Sequence, residues 1–170
     1  MGRPKAGDFG SFYQGYADLA KGIDVAELLR TYPEQIQTFI QSIPNTKADF
    51  QYAEGKWTIK QLLQHMIDTE RIFAYRALRI SRNDQTPLPG FDENHYAIHA
   101  PVENRSLDAL KEEYLLVRKT TDILIASFTE TQLQLIGNAS GNPVKLNALC
   151  FILFGHNLHH INVLKERYLI

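Results

Sequence analysis

Apolar residues recur every three or four positions in several long stretches of this chain, separated by residues that break helices. A chain with that period has one economical way to bury its stripes, which is to pack helix on helix. After Pro33, a residue tolerated in a first helical turn, Ile36, Phe39, Ile40 and Ile43 make one stripe. A shorter stretch of Phe12, Tyr13, Tyr16 and Leu19 precedes it and ends at Gly22. Thr58 with Gln61 three residues on forms a capping box, opening a helix that runs to about Arg82. Asn83, Asp84 and the run Pro87-Leu88-Pro89-Gly90 stop it. Ser106 is the N-cap of a third stripe, Leu110, Tyr114, Val117, Thr121, Leu124 and Phe128. A loop of turn formers over Gly137 to Pro143 leads into a last helix, Leu146 to Tyr168. Pro44 to Lys56 reads as a connector, briefly extended at Phe50 and Tyr52.

The spacing therefore predicts an all-α protein, a four-helix bundle with short extra helices or loops and short connections. Residues 1–21 read as an N-terminal extension with a short helix, and 22–170 as a single bundle domain. The helix from Thr58 is expected to run antiparallel to the one from Leu146. The composition narrows the function classes. Lysine and arginine total 18 against 19 acidic residues, so there is no charge excess to draw nucleic acid or an anionic membrane surface. The densest apolar run, Ala148 to Phe154, is far shorter than a membrane span. The lone Cys150 excludes an intrachain disulfide and a cysteine-based zinc ribbon. With no apolar segment near Met1 to act as a secretory leader, a cytoplasmic location is expected.

Three of the six histidines stand together in the last helix, in His156-Asn157-Leu158-His159-His160. His156 and His160 are four apart, about 40° around the axis, and continue the apolar stripe of Leu149, Leu153 and Val163. His65 lies in the corresponding stripe of the helix from Thr58, among Leu62, Thr69 and Ile72. An imidazole on a buried face needs a partner, since an unsatisfied polar group costs about 1–3 kcal/mol. One shared metal would satisfy all three, leaving an open position as in catalytic sites; separate core hydrogen bonds would also serve. Arg76 falls on the face of His65 three turns on, where it either lines a cavity and holds an anion or makes an interhelical ion pair. Glu70 points away from His65 and suits a basic partner, and Asp68 either orients an imidazole or is solvated. His159 flanks the pair, His95 and His99 fall in a loop, and Cys150 reads as core.

The run Gly55-Lys56-Trp57-Thr58-Ile59-Lys60-Gln61-Leu62-Leu63-Gln64-His65-Met66-Ile67-Asp68-Thr69-Glu70-Arg71 resembles the second-helix motif of the DinB/YfiT-like metal-binding superfamily. Tyr75 to Ile80 and Leu88 to Asp92 resemble that family's helix end and loop, and Gly155 to His160 with Glu166-Arg167-Tyr168 its last-helix signature. The likeness extends from about Gly22 to the C-terminus. It implies a four-helix bundle holding a divalent metal through His65, His156 and His160. Asn157 stands where the family commonly has Asp or Glu. Zinc suits three imidazoles best, with nickel, iron and manganese as alternatives. The resemblance further implies a transferase that activates a low-molecular-weight thiol, and the helical face that Arg76 shares with His65 would put it on the substrate side. The alternatives are a hydrolase using metal-activated water and a non-catalytic metal-binding, stress-associated protein. A small-molecule substrate and a homodimer are the expected partners.

Overall fold

The computed structural model describes residues 1–170, and helices dominate it. In chain order these are α1 (Gln14–Leu19), α2 (Val25–Ser42), α3 (Ile59–Ser81), α4 (Glu93–His99), α5 (Leu107–Ala126), α6 (Glu130–Leu133) and α7 (Leu146–Val163). One π-helical turn, Leu164–Tyr168, extends α7. The long helices α2, α3, α5 and α7 form the bundle, as the apolar periodicity predicts. No helix is long and apolar enough to cross a membrane.

Long-range contacts define how the four helices run. The Trp57 carbonyl, just before α3, accepts from Tyr168 beyond α7, while Ile80 at the other end of α3 abuts Gly137 ahead of α7. These two helices are therefore antiparallel, as expected. Gln64 meets Arg105, Arg71 meets Glu113 and Ser81 meets Gln132, so α3 and α5 run parallel. Tyr32 packs on Phe154 and Phe39 under Lys165, which makes α2 and α7 parallel as well. Helices α2 and α3 thus lie on one diagonal and α5 and α7 on the other, while α3 adjoins α5 and α7. Parallel neighbours need a crossover of the full bundle length. The expectation of short connections fails for this reason: residues 82–106 cross over and carry α4.

Local chemistry accounts for most of the element ends. Thr58 and Gln61 exchange both bonds of the capping box, and Ser106 caps α5 through Ala109 N. The start of α2 differs from expectation. Asp24 caps it by accepting from Glu27 N at 2.8 Å, and Pro33 lies well inside the helix. Val25, Leu28 and Tyr32 are buried, so packing of the preceding turns outweighs the backbone bond lost at the proline. The turn-rich segment before α7 is a β-hairpin, β1 (Ile136–Ala139) and β2 (Asn142–Lys145). Ser140 (φ 53°) and Gly141 (φ 77°) supply its left-handed turn, which matches strand twist. Phe50 and Tyr52 form no strand; their rings pack on Tyr168. The buried stripe of α5 runs through Tyr114, Arg118, Thr121 and Ile125, leaving Val117 and Leu124 half-buried, because Arg118 turns inward to meet Glu70 on α3.

Helix α7 is buried on nearly every side from Leu146 to Asn157. Its outer face is covered by α1, which sits so close that a Cβ at Gly155 would overlap the Tyr16 carbonyl. The N-terminal strand of chain is tied to the same place. Arg3 donates to the carbonyls at the end of α1 and stacks on Phe151, and Asn147 Nδ2 donates to Gly2 O at 2.9 Å. Residues 1–21 are thereby docked along α7, with Phe9, Ala17 and Ala20 in the core.

Candidate metal centre

The antiparallel pairing of α3 and α7 brings His65 opposite His156 and His160. Their Nε2 atoms form a nearly equilateral triangle: 3.2 Å from His65 to His156, and 3.1 Å for each of the other two edges. Neutral imidazoles cannot satisfy one another in this arrangement, because each ring has one N–H at most and three lone-pair sites converge. A cation resolves the conflict. An ion with bonds of about 2.0–2.1 Å to nitrogen spans edges of roughly this length at an open tetrahedral site. The donor set and its spacing fit a divalent metal, and no carboxylate or thiol belongs to the cluster.

Electrostatics favour the ligating state. Burial, with the neighbouring His159 adding to it, lowers the His65 pKa to about 4. Burial also holds His156 and His160 well below the usual histidine range, and the adjacent imidazoles reinforce it. All three are therefore neutral near pH 7, the form that binds metal. The shell around them is aromatic. Trp57 lies 4.9 Å from the His65 ring, and Tyr16 and Phe73 lie 5.5 Å and 6.0 Å from that of His156. His160 Nδ1 is buried without a hydrogen-bond partner, so the rings are oriented by packing more than by polar contacts.

The histidines line one wall of a cavity of about 490 Å³. Arg76 lines it too, 2% exposed, donating from Nη2 to Pro89 O at 2.7 Å and Ser140 Oγ at 3.0 Å. It makes no interhelical ion pair, the alternative its position in the sequence left open. The cavity also draws on Tyr13, Phe91 and the exposed Glu93. None of the aromatic residues of α1 carried a sequence signal for the site, because α1 reaches α7 only through tertiary packing. Glu93 was equally hidden: it enters because His95 and His99 belong to α4, not to a loop.

Several neighbours of the histidines lie elsewhere. Glu70 is 1% exposed and 2.8 Å from Arg118 Nη1, the basic partner that its position called for. Asn157 is fully buried, donating to Glu70 Oε2 at 2.9 Å and accepting from Tyr114 at 2.6 Å. It binds the helices together rather than the histidines. Asp68 accepts from Gln64 and orients no imidazole. His159 meets Tyr16 edge to face, and Cys150, its thiol pKa pushed up to about 12 by burial, is an inert core residue.

Several known proteins are similar to this chain in sequence or in fold. A relative from Oceanobacillus iheyensis, named "Putative metal-dependent hydrolase OB0413", is 29% identical over 117 residues, 62% of this chain and 67% of its own. YfiT from Bacillus subtilis, described as a probable metal-dependent hydrolase with an unusual four-helix bundle topology, superposes with a TM-score of 0.70. That likeness covers 96% of this chain and 89% of YfiT at 15% identity. A mycothiol-dependent maleylpyruvate isomerase superposes at 0.63 with 14% identity, covering 88% of this chain but 59% of the isomerase. The two structural likenesses bear on the fold. The family model of the DinB superfamily matches residues 16–164, nearly the whole bundle together with α1, and the chain belongs to that superfamily.

Proposed function

We propose that this protein is a metal-dependent enzyme that holds a divalent ion, zinc by preference, through His65, His156 and His160 and acts on a small molecule bound in the adjoining cavity. The observation that carries the reading is the triangle of Nε2 atoms, 3.1–3.2 Å on each edge, at the wall of an aromatic pocket. A divalent ion held there supplies Lewis acidity and lowers the pKa of a thiol or water that it ligates. The chain's own residues do the remainder. Burial keeps the three imidazoles neutral; Trp57, Tyr16 and Phe73 restrict water around them and offer flat apolar surface to a substrate. Arg76 supplies the positive end of the cavity.

Transfer of a low-molecular-weight thiol is the reaction best suited to this wall. Such a nucleophile needs no protein base once its pKa is lowered, and none of the cluster's members is a carboxylate. The mycothiol dependence of one structural neighbour supports the same substrate class. Hydrolysis is the second reading, favoured by the names of the Oceanobacillus and Bacillus relatives and by Glu93, whose carboxylate lines the cavity near Tyr16. Homodimerisation, implied by the resemblance, belongs to the proposal and is checked by sedimentation at micromolar concentration.

The test is metal analysis followed by two assays on the metal-loaded protein. Conjugation of a chromogenic electrophile that requires added thiol, and that chelation abolishes reversibly, is the expected result. Turnover of esters or amides without thiol would replace it with the hydrolase reading. A metal-loaded protein inert in both assays would make this a binding protein.

A further inference from the structure

A buried guanidinium is ordinarily matched by a carboxylate, because moving a cation out of water is costly unless an anion accompanies it. Glu70 and Arg118 follow that rule 2.8 Å apart in the same core. Arg76 does not. It is as buried as Arg118, yet its hydrogen-bond partners are the Pro89 carbonyl and the Ser140 hydroxyl, both neutral and both on Nη2. Of the five N–H groups of a guanidinium, those on Nε and Nη1 have no protein acceptor. The remaining neighbour is the face of Phe73, 5.4 Å from the guanidinium carbon. Glu93, the carboxylate on the same cavity, is exposed and outside ion-pair distance of Arg76.

We propose that Arg76, with Ser140, is a carboxylate-binding site at the far end of the cavity from the histidines. Its ligand is a small acid whose reacting group lies at the metal centre. This deepens the proposed function and rests on it for the reacting end alone. The fold presents Arg76 deliberately. Leu88 bridges to the hairpin through Asn138 O and Ser140 N, each bond 2.9 Å, which brings Pro89 and Ser140 together over the guanidinium. Ser140 Oγ accepts from Arg76, so its own hydrogen remains free to donate to an incoming oxyanion. Phe73 spans the distance between the two ends: its ring is 5.4 Å from the guanidinium carbon and 6.0 Å from the centre of the His156 ring. A substrate that reaches from one to the other is thus a few carbons long, apolar in the middle and anionic at one end. A purely structural Arg76, pinning the crossover to the hairpin, would show no such preference.

The experiment compares acids with the matching alcohols. Wild-type protein loaded with zinc is titrated calorimetrically with 6-mercaptohexanoate and with 6-mercaptohexanol, and metal-free protein with hexanoate and hexanol. The acid of each pair is expected to bind at least about tenfold more tightly, the effect of hydrogen bonds to a charged partner. Arg76→Met should erase the preference and Arg76→Lys restore part of it, with circular dichroism confirming that each variant is folded. Equal affinity for acid and alcohol in the wild type overturns the carboxylate site and leaves the metal reading intact. So does an Arg76→Met variant that melts lower but keeps the preference. A protein that takes up no metal overturns the proposed function, and the hexanoate pair still decides the role of Arg76. If Arg76→Met does not fold, the wild-type comparison decides alone.

Discussion

Two polar clusters lie between α3 and α7, five residues apart on α3 and one on α7, and they are opposites. Glu70, Asn157 and, from α5, Tyr114, Arg118 and Asp122 form a nearly closed network: amide and phenol each find a partner, and Glu70 Oε1 meets Arg118 Nη1 at 2.8 Å as an ion pair without hydrogen-bond alignment. His65, His156 and His160 form an open one, three neutral acceptors crowded at 3.1–3.2 Å with nothing of the protein between them. Burial is similar in both, so burial does not identify the functional site. What separates them is completeness. A finished network stabilises one packing of the helices, whereas an unfinished one facing a cavity is poised for a ligand.

The closed cluster is expected to be the more sensitive of the two to substitution. Arg118→Met leaves Glu70 as an unpaired buried carboxylate and should cost about 3–5 kcal/mol in denaturant unfolding. Adding Glu70→Gln should recover a large part of that loss, since the charge left behind is then gone. No recovery would mean that the stability resides in packing rather than in the ion pair. Gly155→Ala comes next. The new methyl must push α1 off α7, and overpacking of this kind costs about 1–3 kcal/mol. Because Tyr16 rides on that contact, its edge-to-face packing on His156 and His159 should loosen, visible as a changed tyrosine environment and weaker metal retention.

On the open side substitution costs less, whereas acid acts on all three histidines together. The metal-free protein should lose stability as pH falls from about 6.5, where unfolded histidines begin to take protons, to about 4, where folded His65 does. The sign follows from a depressed folded pKa: the unfolded chain binds protons that the native one refuses. Metal should steepen this dependence, because bound imidazoles must lose the ion before they protonate. A flat profile over that window would show that the histidines are more solvated than their packing implies. Smallest of all should be the effect of His65→Ala on the metal-free protein, within about 1 kcal/mol, since it removes one of three mutually unsatisfied groups. The same variant should abolish stoichiometric metal binding. Retention of a full equivalent would remove His65 from the site.

Much of this was legible in the amino-acid sequence, and the legible parts share a cause. The Thr58–Gln61 capping box, the stripe of α3 and the spacing of His156 and His160 depend on residues within one or two turns, where helix geometry is fixed at 3.6 residues per turn. The same geometry placed Cys150 in the core. Errors arose where distant packing overrode local preference. Pro33 sits inside α2 because buried neighbours hold the earlier turns, and Arg118 displaces Val117 from the buried stripe because Glu70 awaits it across the bundle. A hairpin of two four-residue strands is too short to show a period.

The sequence by itself determined that helices form, where α3 and α5 are capped, and that His65 and the His156/His160 pair face the interior. Each of these is a matter of local periodicity. The tertiary structure alone decided that α3 runs parallel to α5, that α1 covers the histidines, and that Arg76 has no carboxylate beside it. Those outcomes depend on which buried surfaces meet, and surfaces far apart in the chain are chosen by mutual fit and charge, which no window of neighbouring residues records.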